Sequence, residues 1–172
     1  MQVSLVITIL GPDRPSLVKT LSETLNQFQG SWTESSMAHL AGKFAGLVHV
    51  SVAEGQVDKI TNALQALQQD GFQILIEKTS PDSAVKPVQT LDLELLGQDR
   101  PGIIHDITRQ LAELNVNIEE LESKVKEASM SGGTLFSARL KLGLPENISP
   151  ETVQDTLESM SDQFMVDLNF SS

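Results

Sequence analysis

The chain has 172 residues, no cysteine and a formal charge of −11, which excludes a disulfide framework, a thiolate metal site and a cysteine nucleophile. The charge is uneven, −2 over residues 1–86 and −9 over residues 87–172, and Lys and Arg form no cluster, so a direct nucleic-acid-binding face is excluded as well. No apolar run approaches the roughly 18 residues of a membrane span, and Met1 to Leu5 enter a strand pattern with no basic leader, so the expectation is a cytoplasmic protein without membrane contact.

Val3, Leu5, Ile7 and Ile9 alternate with more polar neighbours and predict a first strand. It ends at Gly11-Pro12-Asp13-Arg14-Pro15-Ser16-Leu17, where the spacing changes to that of a helix, with Val18, Leu21, Leu25 and Phe28 forming a stripe. A second, more polar strand starts at Trp32 and reads as a sheet edge. After Ala41-Gly42-Lys43 a third strand alternates through Phe44, Gly46, Val48, Val50 and Val52. A second helix places Val57, Ile60, Leu64 and Leu67 inward, and a last strand runs from Phe72 to Glu77.

Residues 80–88 hold two prolines without periodicity and predict a short, stiff linker between a first domain, 1–79, and a second, 89–172. The second domain repeats the first. Leu91, Leu93 and Leu95 lead into Gly97-Gln98-Asp99-Arg100-Pro101-Gly102-Ile103, 86 positions after the first copy, and Ile104, Ile107, Leu111 and Leu114 form the matching stripe. At Ser129-Met130-Ser131-Gly132-Gly133-Thr134 the offset grows to 92, which marks a surface hairpin with a six-residue insert. Phe136 to Leu144 alternate, Ser149-Pro150-Glu151 starts a helix with Val153, Leu157 and Met160 inward, and Phe164 to Phe170 close the unit. Strand, helix, strand, strand, helix, strand, used twice, is the ferredoxin-like α+β arrangement, with both helices of each unit on one face of an antiparallel sheet.

The repeated turn carries the candidate chemistry. Proline is tolerated at the first helical position, which would place Arg14 and Arg100 at the caps. The amides of Ser16, Leu17 and Val18, and of Gly102, Ile103 and Ile104, would then be free donors for a carboxylate or phosphate. The same residues also serve as a ligand-free signal that stops a strand and starts a helix. On the sheet face away from the helices, Val6, Ala45, Leu47, His49 and Leu75 predict an apolar contact surface, either between units or within a homo-oligomer. The corresponding face of the second unit carries Asp92, Glu94, Arg139 and Lys141.

Two such units, each with Gly-x-Asp-Arg-Pro at the first turn, resemble tandem ACT domains, and the two-unit chain resembles the glycine cleavage system transcriptional repressor group. The resemblance covers essentially the whole chain, although Ser16 stands where the motif has the glycine seen at Gly102. It implies a module that binds a small amino acid, glycine or serine, near the first turn, with no cofactor. Carried over by position, it implicates Gly11, Asp13, Arg14, Pro15, Ser16 and Leu17, and Gly97, Asp99, Arg100, Pro101, Gly102 and Ile103. It further implies control of a transcription regulator through protein contact. The alternatives are a ligand-independent interaction scaffold and a regulatory subunit of a metabolic enzyme.

Catalysis by the chain itself is not expected. His39, His49 and His105 are far apart and in no metal-ligand spacing, and neither a Gly-x-Ser-x-Gly elbow nor a phosphate-binding loop with its lysine is present. His105-Asp106 reads as a helix-surface pair, and Glu119, Glu120 and Glu122 as a solvated strand edge rather than a metal cluster. RNA binding by a sheet of this kind needs stacking aromatics, whereas the chain has no tyrosine and one tryptophan.

Overall fold

The computed structural model describes residues 1–80, 87, 89–127, 132–160 and 165–170. The expected linker, apart from residues 80 and 87, lies outside the described residues, as do Ser129, Met130, Ser131 and Phe164. The contacts divide the chain into two compact units, Met1–Ala84 and Val85–Ser172.

In the first unit, β1 (Gln2–Pro12) is followed by α1 (Leu17–Gln27), β2 (Ser31–Leu40), β3 (Lys43–Ala53), α2 (Val57–Ala66) and β4 (Gln73–Thr79). The sheet order is β2-β3-β1-β4, with antiparallel pairing throughout. The polar β2 is at an edge, as its composition predicts. Alternation sends Leu5, Ile7 and Ile9 of β1 and Val48, Val50 and Val52 of β3 to one face, where all six are fully buried. Leu17, Leu21 and Leu25 of α1 and Val57, Ile60 and Leu64 of α2 close over them, so a single core lies between helices and sheet.

The second unit repeats this plan with β5 (Gln89–Gln98), α3 (Ile103–Glu113), β6 (Asn117–Glu127), β7 (Thr134–Leu144), α4 (Pro150–Glu158) and β8 (Met165–Phe170), in the order β6-β7-β5-β8. Its core joins Leu91, Leu93 and Leu95 to Ile103, Ile107, Leu111, Val153 and Leu157. The start signal of α4 works as read: Ser149 is the N-cap, and its Oγ accepts from the Thr152 amide at 3.2 Å.

The first helices begin two residues later than expected, at Leu17 and Ile103, and the caps are Ser16 and Gly102 rather than Arg14 and Arg100. The proline does not open the helix because it is used in a turn just before it, where its fixed φ suits the second position. The stripes shift accordingly. Leu17 is 2% exposed while Val18 is 40% exposed, and Ile103 rather than Ile104 leads the buried row.

Candidate functional site

The first turn is pinned at both ends by backbone. The Asp13 amide donates to the Gly42 carbonyl in the β2–β3 hairpin at 3.3 Å, and the Leu17 amide donates to the Arg14 carbonyl at 3.2 Å. Ser16 has φ −90° and ψ −3°, the values of the third position of a type I turn. Asp13, Arg14, Pro15 and Ser16 all stand exposed. Asp13 Oδ2 lies 3.2 Å from His39 Nε2 on β2. The Arg14 guanidinium sits over the Phe72 ring, 5.8 Å from its centroid. Phe72 in turn occupies the space beside Gly11, where a Cβ would overlap the ring. Gly11 therefore serves packing.

The second turn is built differently. The Asp99 amide donates to the Thr134 carbonyl at 3.0 Å, and the Asp106 amide to the Gly102 carbonyl at 3.0 Å. Gly102 has φ +81° and ψ 9°, which fits the third position of a type II turn, where glycine is favoured. A Cβ there would meet nothing within 4 Å, so the glycine is required by backbone conformation and not by crowding. Arg100 Nη1 donates to Asp106 Oδ2 at 2.7 Å, a charge-assisted bond. That hydrogen bond holds the Asp106 carboxyl below its ordinary range. Partial desolvation opposes it, and the charges of Arg100, Arg109 and His105 add to it.

The structure thus brings Gly11, Asp13, Arg14, Pro15 and Ser16 together at one turn and Gly97, Asp99, Arg100, Pro101 and Gly102 at the other. The side chains of Leu17 and Ile103 belong to the cores, so only their backbone amides face the turns, and the Leu17 amide is already bonded to the Arg14 carbonyl. The residues sequence reading missed are His39, Phe72 and Asp106. The first two arrive from strand ends distant in sequence. Asp106 reaches back six positions to Arg100, where the first unit has Thr20 and no carboxylate.

The outer face of the first sheet places Leu47, Thr8 and Leu75 side by side across β3, β1 and β4, with Val6 opposite His49 and Leu10 opposite Ala45. Leu47 and Leu75 are 51% and 57% exposed. Thr8 interrupts the expected apolar row, and Leu10, also exposed, extends it. His49 Nδ1 is 3.1 Å from Thr33 Oγ1, and the same hydroxyl lies 2.9 Å from the His49 carbonyl, to which it donates. His49 Nε2 is buried without a partner among the described residues. On the second sheet Arg139 Nε meets Glu94 Oε1 at 3.4 Å beside an open hollow of about 400 Å³. Among the described residues no three His, Asp or Glu side chains converge to hold a metal ion, and no helix is long and apolar enough to cross a membrane.

Comparison with known proteins bears on the same turns. The ACT domain family pattern matches residues 4–77 and again residues 92–140, each match beginning in a first strand and running through its turn. A crystal structure of an unknown protein from Galdieria sulphuraria is 30% identical, with all of both chains covered and a TM-score of 0.84. A structure provisionally named as a glycine cleavage system transcriptional repressor is 20% identical over 100% of this chain and 99% of that one, with a TM-score of 0.73. Among curated proteins none matches.

Proposed function

The chain belongs to the ACT-domain family, and on that premise we propose that it is a regulatory protein that senses a small amino acid at its first turns and controls a transcription regulator through protein contact. The observation that carries this reading is the recurrence of Asp, Arg and Pro, in that order, at the same strand-to-helix turn of both units. All but Asp99 are exposed there, and Asp99 is half-buried. Asp13, Arg14 and Arg100 keep charged ends at the surface beside His39, Phe72 and Asp106, and a turn whose only task is to join strand to helix has no need of the same Asp-Arg pair twice.

An amino acid offers a carboxylate and an ammonium, and each turn offers an arginine and an aspartate. Glycine and serine are the favoured ligands only through the family resemblance, with which the glycine-related name of the full-length structural likeness agrees. The link to transcription rests on that name too, and the acidic surface favours a protein partner over DNA. A preference of about 1–3 kcal/mol for one of two states is enough to regulate.

A second reading, a scaffold that needs no ligand, is favoured by the exposed Leu47 and Leu75 on the first sheet. Calorimetric titration and thermal unfolding of the full chain with glycine, L-serine and a panel of other amino acids separate the two. The sensor reading expects saturable heat and a rise in Tm, because a ligand that binds only the folded form stabilises it. A flat response across the panel leaves the scaffold.

A further inference from the structure

The two turns share a motif but not its wiring, and this deepens the amino-acid-sensing reading on which it rests. We infer that the first turn is the one that receives a ligand carboxylate, through Arg14, and that Asp106 occupies the equivalent place at Arg100 as a built-in carboxylate.

In the second unit the guanidinium is already engaged, since Arg100 holds Asp106 at 2.7 Å. A ligand carboxylate would have to displace an acid that is tethered six residues away and present at an effectively high local concentration. In the first unit the matching position is Thr20, which has no charge to offer. Arg14 makes no ion pair among the described residues. It is stacked on Phe72, which orients the guanidinium without neutralising it.

The aspartates show the reverse pattern. Asp13 faces His39 at 3.2 Å. At the place of His39, opposite the phenylalanine of the neighbouring strand, the second unit has Val125: His39 pairs with Phe44 and Val125 with Phe136. Asp99 consequently has no ion-pair partner among the described residues. The first turn presents a free cation with its acid engaged, and the second presents a free acid with its cation engaged.

Backbone geometry points the same way. The φ of the cap residue changes sign between Ser16 and Gly102 while ψ stays near zero. Type I and type II turns differ by this reversal of the central peptide. The Ser16 amide therefore runs with the first amides of α1, whereas in the second turn the Pro101 carbonyl is turned to that side. A carboxylate meets a donor at the first turn and an acceptor at the second.

The test is calorimetric titration of the full chain with glycine and L-serine, with glycinamide and L-serinamide as probes that lack the carboxylate. Expected for the parent is one bound amino acid per chain and no binding of the amides. Arg14→Gln is expected to weaken binding about 10- to 100-fold, the loss of one hydrogen bond to a charged group, with Arg14→Lys restoring part of it. Asp106→Asn is expected to free Arg100 and raise the stoichiometry toward two. Binding that survives Arg14→Gln and is lost in Arg100→Gln overturns this inference alone. No binding of either amino acid to the parent or to Asp106→Asn overturns it together with the sensing of these two amino acids.

Discussion

Gly102 and Ser16 hold one motif position with opposite φ, so exchanging their chemistry tests what each turn demands. Gly102→Ala places a Cβ in open space but in a left-handed conformation. It is expected to lower stability by about 1–2 kcal/mol, read as a fall in the Tm of the second unit, and an unchanged Tm would refute the strained-turn account. Asp106 gives a second prediction, this one with a pH signature. Its folded pKa lies below the ordinary value, so the Arg100 bond contributes stability above about pH 4, the unfolded aspartate range, and loses it as pH falls through the lower folded value. Asp106→Asn should therefore be less stable than the parent near neutrality, with the gap closing in acid, while Arg109 and His105 remain beside the site in both proteins. A gap that stays constant from pH 7 to pH 2 would show that Asp106 acts through packing. None of this pairing could be read from the chain, because a carboxylate six positions downstream meets Arg100 only once the turn type sets where α3 begins.

At the scale of elements, the first helices end as carefully as they begin. Gly30 N–H bonds to the Leu25 carbonyl at 2.8 Å and Gln29 N–H to Asn26 at 3.1 Å, and Val116 and Asn115 make the same two bonds to Leu111 and Ala112 at 3.0 Å each. Both ends are Schellman motifs, whose pivotal residue must be left-handed. Asn115 tolerates φ +56°, whereas Gln29 at φ +59° has no local compensation from its side chain. Gln29→Gly is expected to stabilise the first unit by about 0.5–1 kcal/mol, the strain relieved less the added freedom of the unfolded chain. Chemical denaturation reads it directly, and a destabilised variant would contradict the assignment. These ends were legible as Gln29-Gly30-Ser31 and Leu114-Asn115-Val116-Asn117; Asn115 has the composition of a left-handed cap, whereas in the first unit the left-handed residue is Gln29 and Gly30 is instead packed close to Val50 and Ile60. The helix starts were misplaced by two residues because Arg-Pro fits both the second position of a turn and the first of a helix. The sequence of elements and the edge place of β2 followed from alternation and polarity, while the adjacency of the first, third and fourth strands followed from the usual order of the ferredoxin-like fold.

Over the whole molecule, duplication has left two sheets with the same topology and opposite outer chemistry. Positions filled by Val6, Ala45, Leu47 and His49 in the first unit are Asp92, Ser137, Arg139 and Lys141 in the second, matched through the registers of β1 with β3 and of β5 with β7. The charged face suits water: its Arg139–Glu94 pair is well exposed and adds little stability. The first face leaves Leu10, Leu47 and Leu75 partly or mostly in solvent on neighbouring strands. Burying such side chains against another protein gains about 25 cal/mol per Å² of apolar surface, and a copy of the same face is the partner always at hand. If this face makes a homo-oligomer, Leu47→Lys with Leu75→Lys puts like charges across the symmetry axis and should reduce the mass in sedimentation equilibrium to that of one chain. A control on the outer face of the other unit, Ser137→Lys with Thr90→Lys, should leave the mass as it was. Both double variants keep the cores intact, since none of the four positions belongs to the buried clusters. A mass that Leu47→Lys with Leu75→Lys does not alter would remove self-association through this face. The exposed leucines would then be left to a different protein, the partner that a regulator acting by contact requires.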